Sequence, residues 1–278
     1  MLSRSILAET TKCAAAGFRI DRSPLRDMEG IMAEFRAYMV WDVPTRAFHW
    51  INVLCVIGLS AVGLVILYAG DLGVFNNGKA ALKNVHVWIG YVFAANLLWR
   101  FVGAFRGNRF ARWGSFLPGG RGYAAAVSRY IAALRAGHAQ QYLGHNPLGR
   151  ISVAVLLLLL LTQVVTGLVL AGTDLFYPPI GHWIAQWVAA PGVDPASLLP
   201  YSPEMYDKTA WDSMRAFRKP FAVTHLYSFW VLVAVVALHI AAVVVTDIKE
   251  GGSIISAMFT GRKIVAGPPV DKDMAPPD

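Results

Sequence analysis

Residues 221–246 read FAVTHLYSFWVLVAVVALHIAAVVVT, an unbroken apolar run with no charged residue and two histidines, His225 and His239. A helix needs about 20 such residues to cross ~30 Å of hydrocarbon, so this run predicts a membrane span. Three further runs meet the same requirement, residues 47–69, 85–102 and 151–170. Two of them carry a single histidine near their start, His49 and His86. An imidazole in hydrocarbon is costly unless something engages it, so these four histidines are where function is to be sought.

The remaining composition supports a membrane protein. Of 278 residues, 56% are hydrophobic and only 15% charged. The expected fold is an all-α integral membrane four-helix bundle spanning residues 41–263, preceded by a cytoplasmic tail, 1–40, and followed by a disordered tail, 264–278. The N-terminal tail has no apolar stretch long enough for a signal peptide, and Met28 and Met32 are alternative starts.

Charge sets the expected topology. No acidic residue occurs between Asn84 and Thr173, and the connection between the second and third runs carries Arg106, Arg109, Arg112, Arg121, Arg129 and Arg135. The positive-inside rule places that loop, and with it both termini, in the cytoplasm. The net charge of +8 is therefore read as topogenic and as contact with anionic membrane lipid, not as a nucleic-acid surface. Cys13 and Cys55 are the only cysteines, too few and too far apart for a disulfide framework or a Cys-x-x-Cys-His attachment.

Pro44 suits a first helical turn and Trp41 and Trp50 suit an interface, so the first span begins near Thr45 and His49 lies at the cytoplasmic side. An outer turn, 70–84, contains Asn76-Asn77-Gly78, after which His86 enters from outside. The cytoplasmic loop predicts an amphipathic surface helix at 123–136, stopped by Gly137. The outer loop, 173–220, is long and rich in Pro, Trp and Tyr, with a short interfacial helix expected at 180–188, and forms a candidate docking surface.

At 100° per residue, His225 and His239 project from nearly one helix face, about 21 Å apart along the axis. Topology then pairs His225 with His86 at the outer level and His239 with His49 at the inner level. Two neutral imidazoles facing each other form the axial pair of a six-coordinate b-type haem, so two pairs predict two haem b groups held without thioether links. A zinc-type site is disfavoured because the pairs lie about 20 Å apart and no Cys, Asp or Glu accompanies them.

Gly58, Gly63, Gly90 and Gly167 offer small surfaces for close approach. Arg46 and Arg100, at the inner helix ends, are either propionate partners or snorkelling residues, and Arg215, Arg218 and Lys219 stand near the outer level. His145, in Gly144-His145-Asn146-Pro147, is a candidate quinone ligand, with a helix cap or a surface residue as the alternatives. His138 and His182 read as loop residues, and Gln163 as a helix-to-helix hydrogen bonder.

These residues resemble the bacterial di-haem cytochrome b561 type, particularly the b-type cytochrome subunits of membrane-bound nickel-iron hydrogenases and their formate dehydrogenase relatives. The resemblance rests on Val40-Trp41-Asp42-Val43-Pro44-Thr45-Arg46-Ala47-Phe48-His49-Trp50, His86-Val87-Trp88-Ile89-Gly90-Tyr91 and Arg106-Gly107-Asn108-Arg109-Phe110-Ala111-Arg112. Gly144-His145-Asn146-Pro147-Leu148 and Ser253-Ile254-Ile255-Ser256-Ala257-Met258-Phe259-Thr260-Gly261-Arg262 extend it. It implies haem ligation by His49, His86, His225 and His239, an iron-sulfur or other periplasmic redox partner at the outer face, and exchange with the quinone pool. The chain departs from the hydrogenase-type members in a longer outer loop and in lacking a further histidine cluster at the start of the fourth span.

The leading expectation is an electron-transfer subunit of a complex in the bacterial inner membrane, with a homo-oligomer compatible with the same residues. The alternative is a stand-alone oxidoreductase, a quinol-linked superoxide or ferric reductase, whose substrate meets the outer haem directly. A non-redox anchor or transporter is the third class, and it predicts a colourless protein.

Overall fold

A computed structural model of the chain describes residues 35–137, 140–251 and 253–274. Most of the expected N-terminal tail, Cys13 and His138 lie outside the described residues. Four helices are long and apolar enough to cross a membrane: α1 (Val43–Leu67), α2 (Asn76–Arg106), α5 (Pro147–Leu175) and α7 (Lys208–Glu250). Shorter helices join them: α3 (Trp113–Phe116), α4 (Tyr123–Arg135), α6 (Gly181–Val188) and α8 (Ile254–Thr260).

Local chemistry starts three of the spans. Asp42 accepts a hydrogen bond from Thr45 N at 3.0 Å, Asn146 from Gly149 N at 2.7 Å and Asp207 from Ala210 N at 2.8 Å, each satisfying an amide that the first turn leaves without a partner. Pro44 and Pro147 occupy first-turn positions, where a missing N–H costs nothing. Gly251, at φ 95°, ends α7 in the left-handed conformation.

Three helices run beyond the apolar stretches. Asn76-Asn77-Gly78, expected as a turn, forms the first turn of α2. The third span reaches from Pro147 to Leu175, and α7 continues upstream through Pro220 to Lys208. Hydropathy marks only the portion within hydrocarbon, whereas helices project past it.

The closest backbone packing is of α5 on α7, α1 on α2, and α2 on α5. Cys55, Phe93, Leu97, Leu157, Leu160 and Leu232 form the shared core, closed at one end by Phe116. Few residues of each span are fully covered, 6% of the most apolar window of α1 and 22% of that of α2, so the exposed apolar faces must meet lipid. The segment between α5 and α7 builds a core of its own, with Ile184, Val188, Leu198, Tyr206 and Met214 packed together and Tyr206 stacked on Trp211 at 4.2 Å.

The tails depart from expectation. Strand β1 (Phe35–Met39) pairs antiparallel with β2 (Arg262–Ala266), Phe35 opposite Ala266 and Met39 opposite Arg262. The ribbon covers a cluster of Val40, Phe110, Leu143 and Val265. Asp271 accepts from Leu143 N at 2.6 Å and Gly144 N at 2.9 Å, and Lys263 Nζ donates to the Tyr142 carbonyl at 2.6 Å. The expected boundary at residue 40 and the expected disorder from 264 therefore do not describe residues 35–40 and 264–274. Polar and Pro-rich composition hid an order that comes from long-range pairing. Asp271→Ala should loosen this clasp by about 1–3 kcal/mol, because two amides lose their acceptor. Hydrogen exchange checks it: faster exchange over 141–146 and 262–274, with the four spans unchanged.

Candidate functional site: paired histidines within the bundle

The four intramembrane histidines fall at two levels. His86 of α2 and His225 of α7 face each other with ring centroids 6.3 Å apart and planes inclined by 71°. At the other level His49 of α1 stands within electrostatic reach of His239 of α7. His86 and His225 are thus brought into direct opposition, and His49 is placed in the neighbourhood of His239.

A cavity of about 360 Å³ surrounds the first pair, lined by residues of α1, α2, α5 and α7 and overwhelmingly apolar. Glycine makes the rings fit. A Cβ at Gly63 would lie 3.3 Å from His86 Cε1, and one at Gly167 would lie 3.4 Å from His225 Cε1. These two glycines therefore leave room for the imidazoles.

The tautomer of His225 follows from its neighbour. Thr166 Oγ1 donates to the Thr162 carbonyl at 2.6 Å, so its proton is committed and it must accept from His225 Nδ1–H, 2.8 Å away. That leaves Nε2 of His225 unprotonated and free to ligate a metal. On the same pair of helices Ser152 Oγ lies 3.5 Å from His239 Nδ1. Gln163 Nε2 donates to the His225 carbonyl at 3.0 Å and Ser228 Oγ at 2.9 Å, as expected of a helix-to-helix bonder.

These features fit an iron porphyrin. With a metal ~2 Å from each ligating nitrogen and each ring centroid about 1 Å further back, facing imidazole centroids sit ~6 Å apart, the separation observed. The donor set is neutral nitrogen and the enclosure is apolar.

The two candidate arginines have protein partners at the His49–His239 level. Arg46 Nη1 donates to the Phe259 carbonyl at the end of α8, while its Nε is buried without a partner. Arg100 is buried, donates to the Ala111 carbonyl at 2.8 Å and lies over the Phe116 ring at 4.3 Å. His145 adjoins this level, 5.1 Å from the Trp41 ring, and lines a second cavity of about 370 Å³ with Tyr123, Arg129, Arg150 and Asp271. Burial above all, then the charges of Arg100 and Lys263, push His145 down to about 4, so it is a neutral imidazole at physiological pH.

Thr166 and Ser152 escaped the sequence reading, although their spacing equals that of the histidines they touch. Lys83 and Asp174 escaped it too. Both were assigned to loops, and both lie on helices against the first cavity.

A family model described as prokaryotic cytochrome b561 matches residues 40–261. Among curated relatives, the "Probable Ni/Fe-hydrogenase B-type cytochrome subunit" of Cupriavidus necator is 26% identical over 253 residues, covering 84% of this chain and 91% of the relative. The protein of the same description from Rhizobium leguminosarum is 26% identical over 246 residues, covering 83% and 90%. The "Probable Ni/Fe-hydrogenase 1 B-type cytochrome subunit" of Escherichia coli is 25% identical over 239 residues, covering 82% and 91%. No solved structure matches the chain significantly. With most of its length matched and four membrane-spanning helices, this chain belongs to the prokaryotic cytochrome b561 family, as a multi-pass electron-transfer protein of the bacterial inner membrane.

Proposed function

We propose that the chain holds two haem b groups, one between His86 and His225 and one between His49 and His239, and carries electrons between an outer redox partner and the quinone pool. The imidazoles of His86 and His225, opposed across an apolar cavity with ring centroids 6.3 Å apart, carry this reading. Bound there, haem supplies a one-electron iron couple. His86 with His225, and His49 with His239, would each hold such a group through two neutral imidazoles, a donor set suited to electron transfer.

The chain's own residues do the rest. Thr166 fixes the ring orientation and tautomer of His225, and the apolar walls from α1, α2, α5 and α7 exclude water. With both termini cytoplasmic, as the arginine-rich connection between α2 and α5 favours, the His86–His225 level is the outer one. The folded segment between α5 and α7 then presents a surface to a partner, and the relatives' names point to a nickel-iron hydrogenase. Arg46 and Arg100 stand at the inner level as cations for propionates. His145, neutral and facing the second cavity, is positioned to hydrogen-bond a quinone carbonyl.

Reduced-minus-oxidised spectra with haem quantification test the reading. The purified chain should carry two haems; His86→Ala or His225→Ala should remove one, and His49→Ala or His239→Ala the other. Intact haem content in all four variants rejects the assignment. Thr166→Val, close in shape but unable to accept from His225, should weaken haem retention at that level roughly 10–100-fold. Equal retention would show that Thr166 does not orient the ring.

His145 predicts a pH dependence. Below its ordinary 6.5 the unfolded chain takes up a proton that the folded chain refuses until about 4. Stability therefore falls as pH drops through that window and is fully present above it. His145→Gln should flatten this part of the thermal-stability profile and raise the KM for quinone, with both haems retained. An unchanged profile and KM would remove His145 from both roles.

A further inference from the structure

Three charged side chains meet at the wall of the His86–His225 cavity: Lys83 of α2, Asp174 near the end of α5 and Arg218 of α7. Lys83 Nζ lies 2.6 Å from Asp174 Oδ2. Arg218 forks onto the same carboxylate, with Nη2 2.9 Å from Oδ2 and Nε on Oδ1. The side chains retain 23%, 14% and 28% of their exposure for Lys83, Asp174 and Arg218, so the group is largely withdrawn from water.

Two cations share one carboxylate, and Asp174 is the sole acidic residue lining this cavity. Excess charge beside an apolar interior is costly without a further anion. Tyr201, whose ring lies 5.2 Å from Lys83 Nζ and whose hydroxyl hydrogen-bonds Lys83, carries no full charge to supply it. An ammonium has three donors and a guanidinium five, so Asp174 does not exhaust either cation.

We propose that Lys83 and Arg218 form a carboxylate-binding site for a propionate of the porphyrin held by His86 and His225, with Asp174 as the residue that spaces and aims them. The site rests on the haem reading given above. It joins α2 and α7, the two helices that supply the axial histidines, so one porphyrin is fixed at its iron and at its edge by the same pair of helices. Asp174 keeps the two cations together before the anion arrives.

The test compares haem b with its dimethyl ester, which lacks the free carboxylates, in the full-length chain purified and reconstituted in detergent. Haem stoichiometry and the low-spin bis-imidazole spectrum are read first; absence of haem overturns both this site and the reading beneath it. Release to excess haem-scavenging apoprotein is then timed. Lys83→Met and Arg218→Met should each release one of the two haems roughly tenfold faster or more, and Lys83→Arg should restore slow release. The dimethyl ester should leave the wild type and both Met variants at the same fast rate. Two haems with unchanged release of haem b in both variants overturns the site alone. So does ester release accelerated by the variants as much as that of haem b, because Lys83 and Arg218 then act only through helix packing. The wild-type comparison needs no variant to fold: equal release of haem b and its ester overturns the site as well.

Discussion

A ring nitrogen inside hydrocarbon must either donate a proton to something or offer its lone pair to something, and this bundle is organised around that constraint. At His225 the question is answered atom by atom. The Thr162 carbonyl takes the Thr166 proton, Thr166 takes the Nδ1 proton, and Nε2 is left with its lone pair. The hydroxyl thus converts ordinary helix hydrogen bonding into a defined imidazole tautomer. Gly63 and Gly167 remove the methyl groups that would crowd the rings, and the apolar cavity follows from the space so created.

A single spacing repeats on all four spanning helices. His225 and His239 on α7 are fourteen positions apart, as are His86 and Arg100 on α2, Ser152 and Thr166 on α5, and His49 and Gly63 on α1. Fourteen residues make just under four helical turns and about 21 Å of rise, so each helix returns the same face to the interior at two depths. Because α5 and α7 run in opposite directions, Thr166 meets His225 while Ser152 meets His239. The residue types differ at each position, so the repeat is one of placement and not of chemistry.

The number of spans is legible because hydropathy and the helical period are local properties. Asp42-Val43-Pro44 and Asn146-Pro147 announce their helices within a few residues. What was not legible depends on partners far apart in the chain. Residues 264–274 look like a polar tail until Val265 is set against Val40, Phe110 and Leu143, and Asp271 against the amides of Leu143 and Gly144. Lys83 and Asp174 read as loop charges for the same reason: their meaning lies in each other, across 91 positions of sequence. Thr166 and Ser152 likewise carry no local signal in a leucine-rich span, since their role lies in His225 and His239 on another helix.

The polar groups that lack partners are unevenly distributed, and the imbalance separates the two ends of the bundle. Hydroxyls of Thr162, Thr173 and Ser228 donate to carbonyls four positions back, and Gln163 bonds across to α7, so most polar atoms in the spans are accounted for. Among the described residues, the buried side-chain atoms without partners include His86 Nδ1 at one level. Arg46 Nε, His49 Nδ1, Asn52 Oδ1, Trp113 Nε1, His145 Nδ1 and Arg150 Nε gather toward the other end. An unsatisfied buried donor or acceptor costs about 1–3 kcal/mol, so the cost of burying polar atoms is concentrated at that end. At the His86–His225 end Asp174 supplies one carboxylate and Thr166 one hydroxyl, so among the described residues fewer buried side-chain atoms there are left without a partner.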